Sequence, residues 1–316
     1  MKVGYFLASE EHGPRELLRQ AQLAERAGFD ALWISDHYHP WTDEQGHSPF
    51  VWSVIGAISA VCELPVTTAV TCPTVRIHPA VIAQAAATAA AQTGDRFRLG
   101  IGTGEALNEH ILGDPWPELD ERLAMLEESV EVMRALWSGR NVSHRGRHYT
   151  VSNARIYTRG EQPPPVYVSA FGPKAAKVAA RIGDGLITTK PDSELLAEFR
   201  EAGGAGKPTQ LGTKVCYGTD KAAAVRTAHR RWANSGLPGE LGQVLPQPRH
   251  FEQASTLVTE EMTAKSVVCG PDPDEHIAPL REARRLGFDE VYVNQMGDEA
   301  DGFFRFYADQ VLPKVR

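Results

Sequence analysis

The chain has 316 residues, a formal net charge of -7, 42% apolar and 23% charged residues, the profile of a soluble globular protein with enough apolar mass for a substantial core. No long basic run is present, which excludes the phosphate-neutralising surface that nucleic acid demands. No apolar run approaches the ~18 residues of a membrane span, and the opening MKVGYFLASEEHG lacks the length and cleavage site of a signal peptide.

Short apolar runs alternate with longer segments of helical period. Val3–Ala8 is predicted as a first strand and Pro14–Ala27 as a helix, with Leu17, Leu18, Ala21 and Ala24 near three-to-four spacing and Pro14 at its start. Ala31–Ser35 is a second strand, followed by a long loop to about Pro49 and a helix near Val51–Val61. Pro65–Thr71 is a third strand, Ala80–Gln92 an alanine-rich helix, Arg96–Gly102 a fourth strand and Leu119–Trp137 a strongly periodic helix. The alternating stretch Val142–Tyr157 reads as a small hairpin insertion, near 142–158. Pro165–Ala170, Gly185–Thr189 and Gln210–Gly218 continue as strands, with helices at Pro173–Ile182, Leu195–Ala202 and Lys221–Ala233. An aperiodic insertion near 235–263 holds short helices and loops. Ala264–Cys269 reads as a short strand, Pro273–Leu286 as a helix, Asp289–Asn294 as the eighth barrel strand and Asp301–Val315 as a closing helix.

Repeated βα units with apolar strands mean a parallel sheet buried on both faces. Eight of them favour an α/β fold of the (β/α)8 TIM-barrel type, one domain over 1–316, for which about 250 residues plus insertions is typical. The four cysteines, Cys62, Cys72, Cys216 and Cys269, form no CxxC pair and no zinc spacing, so no metal is expected, and scattered thiols point to the cytosol.

In such a barrel the active site lies at the carboxyl ends of the strands. That rule selects Glu10 after the first strand and Asp36-His37-Tyr38-His39-Pro40-Trp41 after the second. It also selects Cys72 after the third, Gly102–Glu109 after the fourth, Phe171-Gly172-Pro173 after the fifth and Thr188-Thr189-Lys190 after the sixth. A histidine exchanges protons near neutral pH, a neighbouring carboxylate fixes its tautomer, and Trp41 can wall a flat ring. The plainer alternative has Asp36 capping a helix and His37 solvated in a loop. Glycines at 102 and 104 let the backbone approach a ligand and aim amides at an anion, with Glu105 beside it; a simple turn is the alternative. Phe171-Gly172-Pro173-Lys174 opens a helix whose free N–H groups attract phosphate, or is an ordinary helix start. Cys72 reads as packing, His78 before Pro79 as structural or at a cofactor edge, and the acid pairs Glu127-Glu128 and Glu260-Glu261 as solvated helix faces.

Five strings in order carry a resemblance: S-D-H-Y-H-P-W (Ser35–Trp41), G-H-S-P-F (Gly46–Phe50), H-P-A-V-I-A-Q (His78–Gln84), G-T-G-E-A-L-N-E (Gly102–Glu109) and W-P-E-L-D-E-R-L (Trp116–Leu123). With them the sequence resembles the luciferase-like oxidoreductases, within them the deazaflavin-dependent glucose-6-phosphate dehydrogenase-like group. The resemblance implies a barrel holding coenzyme F420, with His37 exchanging the proton of the substrate hydroxyl and Glu105 exchanging one with the cofactor. It further implies Trp41 and Glu10 at the reaction centre, and cofactor contacts from Asp36, Thr103, Gly104 and Asn108. The stretch Phe171, Gly172, Lys174 and Ala175 would meet the cofactor's phosphate and tail. A cis peptide is implied at Ala69–Val70, and Cys72 replaces a cofactor-touching threonine. Relatives are usually homodimers.

The chain departs from that group where the sugar phosphate binds. Asp192, Gln253 and Ser266 stand at the three positions of its basic cluster, and none is a cation. Lys190 and Lys265 are possible substitutes, so Thr189, Lys190 and Gln253 are the expected substrate contacts. The expected reaction is hydride transfer between F420 and a neutral secondary alcohol, a sugar-like hydroxyl or the matching ketone, rather than glucose 6-phosphate. An FMN-dependent monooxygenase and a non-catalytic cofactor-binding protein are the alternatives.

Overall fold

The computed structural model describes residues 1–315; Arg316, the last residue of the expected domain, lies outside the described residues. The strands are β1 Lys2–Leu7, β2 Leu32–Ile34, β3 Val66–Thr68, β4 Phe97–Ile101, β5 Val142–Arg145, β6 Thr150–Ala154, β7 Val166–Ser169, β8 Gly185–Thr188, β9 Thr209–Cys216, β10 Val268–Cys269 and β11 Glu290–Gln295. Among the described residues, eight of these pair in parallel in the order β1-β2-β3-β4-β7-β8-β9-β11, and β11 returns to β1. This is the closed barrel of eight βα units that the sequence implied. The pair β5–β6 forms the hairpin, and β10 adds a stub to the edge of β9.

Helix bounds follow the punctuation in the sequence. The helix Pro14–Ala27 has proline in its first turn and ends at Gly28, whose φ of 88° supplies the left-handed cap that other residues adopt at a cost. Leu119–Trp137 and Pro273–Leu286 occupy their expected ranges. Barrel closure also needs a missing side chain at Gly100, because a Cβ there would collide with the Thr68 carbonyl oxygen. The barrel interior is layered rather than hollow. Trp33 stacks on Tyr292 with ring centroids 4.4 Å apart, and Gln210 accepts from Trp33 Nε1 at 2.9 Å. Arg98 pairs with Glu290 at 2.8 Å below them. This plug closes the lower end and leaves the opposite mouth for chemistry.

Three expectations are corrected. Ala264–Cys269 is not one strand: Ala264–Ser266 ends the helix Glu260–Ser266, and only Val268–Cys269 is extended. Thr259 caps that helix by accepting from Met262 N, and the acids at 260 and 261 suit its positive end. The helix expected at Leu195–Ala202 spans Ser193–Phe199 and continues as a wider turn, Arg200–Gly204. Glu128 is not a solvated face. It accepts from the backbone N–H groups of Arg147, His148 and Tyr149 at 3.1, 3.0 and 2.9 Å, so it pins the turn of the β5–β6 hairpin.

Candidate active site

The loops after β1 and β2 are stitched together at the barrel mouth. Ser9 N donates to Ser35 Oγ, and Ser9 Oγ donates to the Ser35 carbonyl. Ser35 Oγ in turn donates to Glu10 Oε2 at 2.6 Å. The other carboxylate oxygen of Glu10 lies 3.4 Å from His37 Nε2. Both side chains are buried, so the plain reading of His37 as a solvated loop residue is corrected. Trp41 sits with its ring centroid 5.0 Å from the His37 imidazole, and Phe251 from the 235–263 insertion backs Trp41 at 5.1 Å. His37, Glu10 and Trp41 thus meet in one place.

Asp36 does not cap a helix. Its carboxylate pairs with Arg76 Nη2 at 3.0 Å and accepts from Thr71 Oγ1 at 2.8 Å. Arg76 also donates its backbone N–H to Glu109 Oε2 at 2.7 Å and faces Glu109 Oε1 at 3.4 Å. Burial pushes the Glu109 carboxyl up to about 7 although Arg76 opposes the rise. Arg76 therefore links two buried carboxylates from separate strand ends. A buried cation removed from such a pair leaves uncompensated charge, so the network fixes the frame around His37. The peptide Ala69–Val70 is cis, as the resemblance implied.

A cavity of about 380 Å³ runs from Glu105 to the start of the helix Pro173–Ile182. Val70, Gly102, Thr103, Gly104 and Glu105 line one end, and Ser169 to Ala175 the other. Gly104 has φ 75°, and a Cβ there would stand 2.6 Å from Cys72 Sγ. Gly172, by contrast, has open space where a side chain would be. Glu105 is half-buried rather than enclosed. Cys72 is buried, touches Thr74 Oγ1 at 3.0 Å, and its thiol is pushed up by burial, which fits packing and no nucleophilic role. Lys174 is exposed and pairs with Asp120 at 2.7 Å. A long, glycine-walled cleft ending at a helix N-terminus suits a flat ring with an anionic tail, so the residues present fit a deazaflavin. A larger surface groove of about 660 Å³ lies between Leu119–Trp137 and the hairpin, lined by Glu128, Arg134 and Arg147 among others; none of the sequence-selected site residues lines it.

Thr189, Lys190 and Gln253, the expected substrate contacts, are all exposed. Lys190 is exposed and tied to Asp192 at 2.9 Å. Asp192 itself caps the next helix, accepting from Glu194 N and Leu195 N. Gln253 and Thr189 are exposed, and Ser266 Oγ turns back onto the carbonyls of Met262 and Thr263. Lys265 is exposed beside a groove it shares with Lys221 and Glu275.

The structure adds residues that the sequence reading missed. Lys214 on β9 follows Gln210 and Gly212 at period two, so it shares their inward face, one rung from the mouth. Its Nζ donates to Ser235 Oγ at 2.8 Å and lies 4.2 Å over the Trp232 ring. Burial lowers its ammonium to about 8, against the pull of Glu10 and Glu11. That alternation was the available signal. Gly239, Glu240 and Gln243 line the cavity from the aperiodic insertion, for which no sequence signal existed. Buried Arg122 stacks 4.5 Å from the Trp116 ring and reaches Gln243 at 3.4 Å. Glu11 is fully buried, 3.5 Å from Arg231, and burial raises its carboxyl to about 7.

Comparison with known proteins agrees with this geometry. The F420-dependent glucose-6-phosphate dehydrogenase of Microbacterium testaceum (strain StLB037) is 37% identical over 329 residues, covering 100% of this chain and 98% of that protein. The structure of an F420-dependent secondary alcohol dehydrogenase in complex with an F420–acetone adduct superposes with a TM-score of 0.93 at 28% identity, covering 100% and 99% of the two chains. Coenzyme F420-dependent tetrahydromethanopterin reductase from Methanopyrus kandleri shares the fold, with a TM-score of 0.80 at 20% identity and coverage of 100% and 99%. The family model described as luciferase-like monooxygenase matches residues 1–290, and the chain belongs to that family.

Proposed function

We propose that this protein is an F420-dependent oxidoreductase that transfers a hydride between an alcohol or its carbonyl partner and the deazaflavin. The observation that carries the reading is the meeting of His37, Glu10 and Trp41, with Asn108 bridging His37 to Glu105, which lines the glycine-walled cavity. The kinship with F420-dependent dehydrogenases over the full chain supports it. When bound, F420 supplies the hydride acceptor or donor. Asp36, Thr103, Gly104, Asn108 and the Phe171–Ala175 segment, with the backbone at Ala69, Val70 and Cys72, would hold it. His37 would take or give the proton on the substrate oxygen, which must come within hydrogen-bond reach of the imidazole. Glu10 anchors the imidazole, Trp41 and Phe251 would wall the substrate from water, and Glu105, lining the cavity, would hold a proton on the cofactor side.

The substrate in this reading is a neutral secondary alcohol, a sugar-like hydroxyl or the matching ketone. Asp192, Gln253 and Ser266 at the phosphate positions carry no cation, Lys190 is neutralised by Asp192, and Lys265 is exposed on a groove with Lys221 and Glu275, so a sugar phosphate dianion lacks a basic cluster. We further read the chain as one barrel domain with two insertions. It would form a homodimer through the apolar face bearing exposed Phe50 and Val81 with Trp52 and Ile77. Its four cysteines are free and buried, in keeping with the cytoplasm. Fluorescence titration with F420 and FMN, followed by turnover of secondary alcohols and of glucose 6-phosphate, tests the reading. Micromolar F420 binding with alcohol turnover supports it. Binding of FMN alone, binding of F420 without turnover of any alcohol, or efficient use of glucose 6-phosphate overturns it in part or whole. Light scattering in solution tests the dimer.

A further inference from the structure

Asn108 does more than the resemblance assigns to it. Its Oδ1 accepts from the backbone N–H groups of Tyr38 at 2.9 Å and His39 at 3.1 Å. Those two donors fix which end of the amide is oxygen. Nδ2 therefore faces the other way, 3.2 Å from His37 Nδ1 and 3.3 Å from Glu105 Oε2. An amide nitrogen carries two hydrogens and accepts nothing, so both contacts are donations. His37 Nδ1 receives such a hydrogen only when its own lone pair is free, which places the ring hydrogen on Nε2, toward Glu10 Oε1 at 3.4 Å. The carbonyl oxygen of His39 also lies 3.2 Å from Nδ1 and favours the opposite tautomer. Two partners, Asn108 and Glu10, select hydrogen on Nε2; one, the His39 carbonyl, selects hydrogen on Nδ1. The other charged groups around the ring's surroundings are Asp36 with Arg76, Glu105 beyond Asn108, and Lys214 on the far side of Glu10.

We propose that Asn108 is a positioning residue that sets the tautomer of His37 and bridges it to Glu105, an inference that rests on the reading of His37 as the proton-transfer group. With Asn108 donating, Nε2 carries the hydrogen, held toward Glu10 Oε1, and a substrate carbonyl oxygen would take that donor over from Glu10. A ligand that draws the Asn108 amide hydrogen to itself releases Nδ1 to the His39 carbonyl and bares the Nε2 lone pair, the form that takes a proton from an alcohol. Occupation of the cavity and the basicity of His37 are thereby coupled through one amide.

The test is the protonation pattern of the imidazole, read by two-bond 1H–15N correlation on protein labelled at the histidine ring nitrogens, at a pH where the ring is neutral. The His37 signals are assigned by their loss in His37→Asn. The wild type is expected to carry its hydrogen on Nε2. Asn108→Asp keeps an oxygen for Tyr38 and His39 and puts a second oxygen against Nδ1, so the hydrogen moves to Nδ1. Asn108→Ala leaves the His39 carbonyl at Nδ1 against Glu10 at Nε2, so the hydrogen is shared between the two nitrogens instead of held on Nε2. The near-isosteric aspartate variant answers the question if the alanine variant does not fold. A wild type with hydrogen on Nδ1, or variants that retain the wild-type pattern, overturns the proposal. Full turnover by His37→Asn would instead remove the catalytic reading while leaving the tautomer result standing.

Discussion

Replacing Glu11 with glutamine should make the protein more stable, and by an amount that depends on pH in a calculable way. The carboxyl is fully buried with Oε2 unpartnered, and burial raises it from 4.5 to about 7. A folded-state value above the unfolded one favours the fold while the group keeps its proton, completely below pH 4.5, and that support is lost as pH rises through about 7. At pH 8 the fold must hold the ionised form, a penalty of about 3 kcal/mol. Glutamine has the same shape and never ionises. Arg231 is not orphaned by the change, because it keeps both oxygens of Asp298 at 2.9 Å. Urea unfolding of both proteins should give near-equal stabilities at pH 4.5 and a gap of about 3 kcal/mol in favour of Glu11→Gln at pH 8. Other titrating groups cancel in the difference. A gap that is constant with pH, or that closes as pH rises, would refute the reasoning.

Three further outcomes follow from the site and its supports. Wild-type activity is expected to fall near pH 8, where the Lys214 ammonium loses its proton, and Lys214→Met should lower kcat/KM at pH 7 at least about tenfold and abolish that fall; pH–rate profiles check this. Gly104→Ala should weaken F420 binding more than about tenfold while the far-UV circular dichroism is kept. The reason is that a Cβ at φ 75° is strained and crowds Cys72 at 2.6 Å; a cofactor titration decides. Glu128→Ala should loosen the hairpin by about 2 kcal/mol, visible as faster amide exchange at Arg147, His148 and Tyr149. Burial alone would raise Glu128, but the bonds from His144, Tyr149 and His148 hold it below the ordinary range, so the difference from wild type should shrink as pH falls below 4.5.

What could be read from the chain was what is local. Pro14–Ala27, Leu119–Trp137, Pro173–Ile182 and Pro273–Leu286 were bounded by proline, glycine and periodicity, and they fold within those bounds. The second and third strands extend two and four residues less than their apolar runs suggest, because β2 and β3 pair over only three residues before the chain leaves the barrel wall. The same distinction holds in the site. The segments Asp36–Trp41 and Gly102–Glu109 are contiguous and were visible. The Arg76 bridge joins residues 40 and 33 positions away and has no local signature. A strand-end place for Thr189 and Lys190 and a corresponding position for Gln253 carry no information on which way the strand or helix turns them, and all three stand exposed. Lys214 lies on the inward face of β9 at the period-two spacing from Gln210 and Gly212, so its placement was legible in the sequence.

The segment 235–263 touches both the side chains beside His37 and the glycine-walled cavity. Ser235 holds Lys214, Phe251 backs Trp41, and Gly239, Glu240 and Gln243 face the long cavity. One stretch of chain, attached to a rigid barrel, therefore shapes what enters beside the imidazole and what lies along the glycine loop. Grafting that stretch between relatives should change substrate preference and coenzyme affinity jointly, which makes it the place where new members of such a family can diverge while the eight-stranded frame and its proton-handling groups stay as they are.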